Sequence, residues 1–194
     1  MKPFCAAVGG VLMLLAACGE QPSSAPPAPE GRVNAVMATK KASFADLCDI
    51  APEPAKDFAW PELTVAAPPA AAGPYRWVNV WATWCKPCIE ELPLLTRTFD
   101  EWKKQGQDVA LTLVSVDADA EAAKKFIAER PGTPVSLQLK DASKAADWLT
   151  EIGLASGSAI PVHTVLDAKG SLVCARAGGV TQPQLERFKQ AMFP

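Results

Sequence analysis

The sequence contains no block of five or six like charges, and its 19 basic and 21 acidic residues leave a formal net charge of −2 at pH 7. Surfaces that bind nucleic acid or anionic lipid headgroups through charge are strongly basic. A nearly balanced charge without a basic run gives no support to either kind of surface. We therefore expect no nucleic-acid partner.

The sequence is also poor in metal-binding side chains. Its one histidine is His163, and the cysteines Cys48 and Cys174 each lie far from any other cysteine in the chain. A structural zinc site normally combines two closely spaced pairs of cysteine or histidine ligands. We predict neither a metal site nor any other cofactor, and we expect His163 to be a polar or half-buried strand residue without a catalytic role.

The apolar segment near the N-terminus falls short of the roughly 20 residues of a comfortable membrane-spanning helix. Lys2, followed by the apolar run VLMLLAA and small residues, is typical of an export signal. The stretch LAACG, residues 15–19, resembles a bacterial lipoprotein processing box, which implies cleavage before Cys18 and attachment of diacylglycerol to its sulfur. Ordinary secretory cleavage or a marginal membrane anchor is the alternative. The choice between inner and outer membrane stays open.

These features divide the chain into three parts. Residues 1–17 are predicted to be the signal peptide, and residues 18–42 the lipidated cysteine with a flexible tether rich in proline, alanine and serine. A single packed domain is expected over residues 43–194. The protein is therefore expected on the extracytoplasmic side of a membrane, held there by its lipid.

Cysteine usage fits an exported protein. Once Cys5 is removed with the signal and Cys18 carries lipid, four cysteines remain, which is an even number: Cys48, Cys85, Cys88 and Cys174. An oxidising compartment favours two disulfides, for which three connectivities exist.

From Arg76 onward, strand-like and helix-like segments alternate. Apolar residues recur at helical spacing from Cys88 to Trp102, and the run 108–117 is apolar on both faces, as in a central parallel strand. The pattern predicts a strand at 76–82, a helix ending near Gly106, a strand at 108–117, a helix at 119–129, a strand at 134–139, a helix at 141–152, a hairpin around AKG, and a last helix with a capping box at Thr181 and Gln184. This order indicates an α/β domain with a central mixed sheet flanked by helices.

Cys85 and Cys88 lie where the first of these strands ends and a helix begins. The sulfur of Cys85 is expected near unpaired backbone N–H groups and the positive end of the helix dipole, which favour a thiolate. In such Cys-x-x-Cys motifs the pKa of the first thiol can fall from about 8.5 to roughly 3.5–7.5. Lys86 adds a positive charge and Pro87 suits the first helical turn, so both are expected to tune that pKa.

The spacing assigns different roles to the two sulfurs. Cys85 is the predicted attacking nucleophile, and Cys88, one helical turn later, can attack the mixed disulfide that forms at Cys85. A purely structural disulfide between them is a weaker interpretation, because so small a loop removes little entropy from the unfolded chain. Redox exchange is the preferred interpretation.

The segments WATWCKPCIEELPLL and IPVHTVLDAKGSL together resemble the membrane-tethered thioredoxin-like proteins of the TlpA/ResA type. The resemblance covers roughly residues 58–193. It implies a thioredoxin-like fold with a helix and a strand inserted within residues 119–153, before the strand that follows Pro161. It also implies a thiol-disulfide oxidoreductase that works without a cofactor.

The resemblance extends to individual residues. Pro161 lies where the family has a cis-proline facing the two sulfurs, which would expose the backbone of Ile160 to an incoming extended chain; a trans proline that merely opens a strand is the alternative. Glu91 matches an acidic residue that can influence proton exchange with Cys88, although it could instead complement the helix dipole. Trp84 is expected to form part of an apolar rim on which a substrate lands.

Cys48 and Cys174 depart from the basic family pattern. We expect a structural disulfide between them that holds the N-terminal extension against the sheet, with roughly 5 kcal/mol as an upper figure for its entropic stabilisation. Two free buried thiols or intermolecular pairing are the alternatives that the sequence leaves open.

The expected activity is exchange with disulfides of exported proteins or of small thiol compounds. Reduction is favoured over oxidation, because family members often keep exported thiols reduced, for example in cytochrome c maturation; a reductase would need a membrane electron donor. The protein is expected to be a monomer. Two rival functions are a peroxiredoxin-like peroxide reductase, which would need a threonine where Ala82 lies, and a copper-handling protein whose cysteines bind Cu(I).

Overall fold

The computed structural model describes residues 41–66, 68, 70 and 73–193. The predicted signal peptide, the lipidation site Cys18 and almost all of the tether lie outside the described residues. Within the described residues, the strands are β1 (Lys56–Asp57), β2 (Tyr75–Trp81), β3 (Val109–Ser115), β4 (Ser136–Gln138), β5 (Val162–Asp167) and β6 (Ser171–Ala177), and the α-helices are α1 (Lys86–Lys104), α2 (Ala120–Ala128), α3 (Ala145–Glu151) and α4 (Gln182–Met192). None of the helices described is long and apolar enough to cross a membrane.

The six described strands form one mixed sheet in the order β1-β6-β5-β2-β3-β4. β2 runs parallel to β3, and β3 runs parallel to β4. β5 runs antiparallel to both of its neighbours, β2 and β6. The predicted mixed sheet, with a central parallel strand and a closing hairpin, is confirmed.

β2 is the central strand that leads to the cysteine pair, and all of its residues except Tyr75 are buried. Trp77 packs edge-on against Phe99 of α1 and Phe188 of α4, with ring centroids 5.4 and 4.8 Å away. Val78 points to the opposite face and shares a core cluster with residues of α2 and α3. Because both faces of β2 are covered, the chain that leaves it starts from a fixed position.

α1 begins at the end of the loop that follows β2. Cys85 is its N-cap, and Pro87 lies in its first turn, where a missing backbone N–H does no harm. The buried stripe runs from Cys88 to Trp102, as the helical spacing predicted. The helix ends just before Gly106, whose φ of 77° suits a glycine.

The insert predicted from the resemblance consists of α2 and β4. The side chain of Asp119 caps α2 by accepting the backbone N–H of Glu121 at 2.9 Å. The single helix predicted over residues 141–152 is divided, because residues 142–144 form a 3-10 turn before α3. Asp141 accepts the backbone N–H of Ser143 at 2.9 Å and its hydroxyl at 2.7 Å, and this local bonding competes with a regular first turn.

Cys48 and Cys174 are joined by a disulfide, with their Cα atoms 5.6 Å apart. Next to it, Ile50 forms an antiparallel bridge with Ala175 of β6. The side chain of Asp49 accepts the N–H of the last residue of β6 at 2.8 Å. The segment 48–50 is therefore bound along β6 by a covalent bond and by hydrogen bonds.

Candidate active site

Cys85 and Cys88 form a disulfide at the N-terminus of α1, with their Cα atoms 5.3 Å apart. Cys85 is 5% exposed and Cys88 is 0% exposed. The backbone N–H of Cys88 donates to Cys85 Sγ at 3.3 Å. The structure is therefore that of the oxidised pair. After reduction, this N–H and the helix dipole would stabilise a thiolate on Cys85.

Trp84 and Ile160 both lie next to Cys85. Trp84 is the residue before it and is 68% exposed. Cys85 Sγ lies 3.7 Å from the carbonyl oxygen of half-buried Ile160. The structure thus brings an exposed aromatic ring, a reactive sulfur and the backbone of a second loop to one place on the surface.

Pro161 follows Ile160 through a cis peptide bond, as the resemblance implied. Its carbonyl oxygen accepts the N–H of Gly178 at 2.8 Å. Gly178 follows β6 directly and has a φ of 88°, a conformation that side-chain-bearing residues rarely adopt. This hydrogen bond joins the start of β5 to the end of β6, so the sheet itself holds the Ile160 carbonyl next to Cys85.

Lys86 lies on the solvent side of the first turn of α1. Its side chain is 86% exposed, and its Nζ lies 3.7 Å from Glu90 Oε1. The field of so exposed a charge is weakened by solvent and by its acidic neighbour. The influence of Lys86 on Cys85 therefore stays a prediction, whereas the N–H of Cys88 contacts the sulfur directly.

Glu91 lies on the buried face of α1 and is 6% exposed. Its Oε1 accepts Asn79 Nδ2 at 2.9 Å, and its Oε2 accepts the backbone N–H of Val180 at 3.1 Å. A Cβ added to Gly179 would lie 3.3 Å from Glu91 Oε2 and 4.0 Å from Pro161 Cγ. The carboxylate is therefore bound by the sheet and by the loop after β6, beside the cis-proline.

His163 is a polar residue, as expected, but it is fully buried rather than half-buried, with 0% of its surface exposed. β5 lies between β6 and β2 and is buried along its length except at its last residue. Alternation along a strand gives no solvent-facing side when both faces of the sheet are covered. His163 Nδ1 accepts the indole N–H of Trp77 at 3.0 Å, and Nε2 lies 3.3 Å from Glu91 Oε1.

Asp117, which no motif revealed, supports the loop that carries the cysteine pair. Its carboxylate accepts the backbone N–H of Thr83 at 3.0 and 3.1 Å and the Thr83 hydroxyl at 2.6 Å. The Ser115 hydroxyl donates a further bond at 2.7 Å. Thr83 lies two residues before Cys85, so these bonds anchor the chain between β2 and α1. The sequence does contain a signal for Asp117, because it is an acidic residue just after a buried parallel strand. The functional sites of α/β proteins tend to lie at the edge of the sheet where such strands end.

We expect Asp117→Asn to lower the free energy of unfolding by about 1–3 kcal/mol, because an NH₂ group would then face the donors that the carboxylate now accepts. Turnover should fall as well, since the loop before Cys85 loses its anchor. Asp119→Asn is the matched control, because it removes the same charge from an exposed N-cap where asparagine serves equally well. Urea denaturation of both variants checks this, and equal stability would contradict the anchoring role.

The part of the chain that contains this site is similar to known proteins. A family model described as Redoxin matches residues 70–191, which include the cysteine pair and the cis-proline. A thiol-disulfide oxidoreductase ResA of Bacillus cereus is 28% identical over 118 residues, which are 60% of this chain and 62% of the relative. A thioredoxin-like protein YneN of Bacillus subtilis is 26% identical over 111 residues, 57% of this chain and 60% of the relative. The chain thus spans less than two thirds of the length of these curated relatives.

A solved structure supports the same fold. The secreted thiol-disulfide isomerase from Corynebacterium glutamicum has a TM-score of 0.50 and 20% identity, and the match covers 61% of this chain and 70% of that one. Similarity at this level of identity concerns the fold alone. It confirms the thioredoxin-like α/β fold. The family match and the ResA relative confirm the TlpA/ResA-type resemblance that the motifs indicated.

Proposed function

Because this chain belongs to the redoxin family, we propose that it is a thiol-disulfide oxidoreductase whose redox centre is the Cys85–Cys88 pair. The observation that carries the proposal is the disulfide at the N-terminus of α1, with Cys85 Sγ 3.7 Å from the carbonyl oxygen of Ile160. An extended chain that paired with this backbone would bring its own disulfide to Cys85. Exposed Trp84 adds an apolar surface beside it.

In the reductive direction, the Cys85 thiolate attacks one sulfur of a substrate disulfide. A bond forms between Cys85 Sγ and that sulfur, the substrate S–S bond breaks, and the departing sulfur takes up a proton. Cys88 then attacks Cys85 Sγ, which releases the second substrate thiol and forms the disulfide of the present structure. Two electrons pass from the cysteine pair to the substrate, and an external dithiol must return them.

Glu91 is the proposed acceptor of the Cys88 proton. Cys88 is fully buried, so its thiol needs an internal base before it can attack. Glu91 follows one helical turn later on the buried face of α1, and Asn79 and Val180 hold its carboxylate in place. A carboxylate held in this way can receive a proton directly or through one water.

We further propose an extracytoplasmic location with lipid attached at Cys18. The export-signal pattern of residues 1–17 supports this location, and the Cys48–Cys174 disulfide is of a kind that persists in oxidising compartments. The proposed reaction there is reduction of disulfides in exported proteins, with cytochrome c maturation as one setting. A membrane electron donor would supply the two electrons.

Reduction of insulin tests the proposed activity. With dithiothreitol as the external dithiol, the full chain is expected to accelerate insulin reduction, while Cys85→Ser/Cys88→Ser leaves the uncatalysed rate. Equal rates for the two proteins would overturn the proposal. Peroxide consumption without insulin reduction would identify a peroxide reductase instead.

A titration with Cu(I) tests the rival metal-binding function. No group of three or more His, Cys, Asp or Glu that could hold a metal ion occurs in the described part of the chain, although two thiolates alone can bind Cu(I). We expect no tight stoichiometric binding by the reduced protein. Tight binding together with absent disulfide exchange would favour a copper-handling protein.

A further inference from the structure

His163 is a buried titratable side chain that the exchange steps above do not use. It lies in the middle of β5 and is 0% exposed. In the antiparallel register it is opposite Asn79 of β2 and Arg176 of β6. Directly opposed residues of antiparallel neighbours share one face of the sheet, so these side chains form a row on the face that Glu91 of α1 contacts.

The hydrogen bonds of His163 determine which ring nitrogen carries the proton. The indole N–H of Trp77 donates to Nδ1 at 3.0 Å, and an indole can only donate. Nδ1 is therefore an acceptor, and the proton of the neutral ring lies on Nε2. Nε2 lies 3.3 Å from Glu91 Oε1 but makes no aligned hydrogen bond. The contact is therefore an electrostatic one between an N–H dipole and a carboxylate.

Two neighbouring elements carry a charged residue close to His163 in the sheet or on the helix that covers it. α1 contributes Glu91. β6 contributes Arg176, the register partner of His163, whose guanidinium donates to the backbone carbonyl of Leu47 at 3.2 Å. β2 contributes only neutral groups, Trp77 and Asn79. Asn79 Nδ2 lies 2.9 Å from Glu91 Oε1 and 3.4 Å from His163 Nδ1. The nitrogen that carries the proton of the His163 ring thus faces the Glu91 carboxylate.

We propose that His163 is a positioning residue for disulfide exchange, an inference that rests on the function proposed above. Its Nε2–H faces Oε1 and helps to orient it, so that the carboxylate is placed to accept the proton of Cys88. The indole N–H of Trp77 keeps the ring in the tautomer that does this. Without the Nε2–H, no N–H dipole would face Oε1, and the carboxylate would be less well placed to receive that proton.

Two variants that differ by one methylene test this role in the full chain. His163→Asn keeps a polar group near Trp77 but is too short to reach Glu91, whereas His163→Gln can present an amide N–H there. For His163→Asn we expect kcat of insulin reduction to fall about three- to tenfold and KM to stay unchanged. His163→Gln should recover most of kcat. An unchanged kcat in His163→Asn, or a loss that His163→Gln does not recover, would overturn the inference.

A second background separates this role from a merely structural one. In Glu91→Gln, the additional change His163→Asn is expected to leave kcat as it is, because the carboxylate on which His163 acts is no longer present. An equal loss of kcat from His163→Asn in both backgrounds would overturn the inference.

A third measurement does not depend on turnover. The carbon NMR signal of the labelled Glu91 carboxyl reports the groups that surround it, and its chemical shift is expected to change in His163→Asn. An unchanged chemical shift would overturn the role of His163 even if insulin reduction proceeds. Absence of insulin reduction by the unaltered chain, with the chemical shift changed as expected, would instead overturn the proposed function.

Discussion

Cys88→Ser is expected to accumulate a covalent mixed disulfide with its substrate, whereas Cys85→Ser is expected to trap nothing and to show only the uncatalysed rate. Cys85 Sγ lies 3.7 Å from the Ile160 carbonyl and is one residue from exposed Trp84. Cys88 is fully buried and bonded to Cys85. The first sulfur can therefore meet a substrate, and the second can act only on a bond already formed at the first.

Intact-mass measurement checks this prediction. Each reduced variant is mixed with excess insulin, quenched with acid and compared with the double variant Cys85→Ser/Cys88→Ser, which should neither turn over nor form an adduct. The mixed disulfide should appear in Cys88→Ser and disappear on addition of dithiothreitol. An adduct that forms in Cys85→Ser instead would reverse the roles assigned to the two cysteines.

Removal of the other disulfide is expected to produce the largest loss of stability. Cys48 and Cys174 are separated by 126 positions, and the loop-entropy model gives such a bridge roughly 5 kcal/mol as an upper figure. Cys48→Ala/Cys174→Ala should therefore lower the free energy of unfolding by about 2–5 kcal/mol. The Ile50–Ala175 bridge and the Asp49 hydrogen bond would still connect residues 48–50 to β6.

The double variant Cys85→Ser/Cys88→Ser is the matched control for stability. It also removes one disulfide, but the two cysteines are only 3 positions apart, so the same model predicts a loss smaller by about 3 kcal/mol. Urea denaturation of both oxidised double variants in the full chain makes the comparison. Equal losses would show that the Cys48–Cys174 bond does not act by restricting the unfolded chain.

The parts of the site that could be predicted depend on residues close together in the chain. The cysteine pair follows a β-rich run and opens a helical pattern, and Cys85 is indeed the N-cap of α1. The capping box of α4 is equally local, with the backbone N–H and hydroxyl of Thr181 each donating to Gln184 at 2.9 Å. Spacing along the chain is enough to place such groups, because helical turns and caps involve neighbours within four residues.

Other parts could be predicted only through the resemblance. The cis bond before Pro161 is present, but no local rule distinguishes it from the far more common trans form. The division of the 141–152 helix was missed because the short side chain of Asp141 offered the backbone an alternative to a regular helical turn. Asp117 was missed because its partner Thr83 lies 34 positions away.

By itself, the sequence determined the alternation of strands and helices, the place of the cysteine pair at a strand-to-helix junction and the stripe by which α1 packs, since periodicity and capping are local properties of a chain. Only the tertiary structure decided what surrounds Glu91. Its partners Asn79 and Val180 lie 12 and 89 positions away, and His163 reaches it from β5. These groups meet because the order β6-β5-β2 brings side by side strands that lie far apart in the chain, and no spacing along the chain records that order.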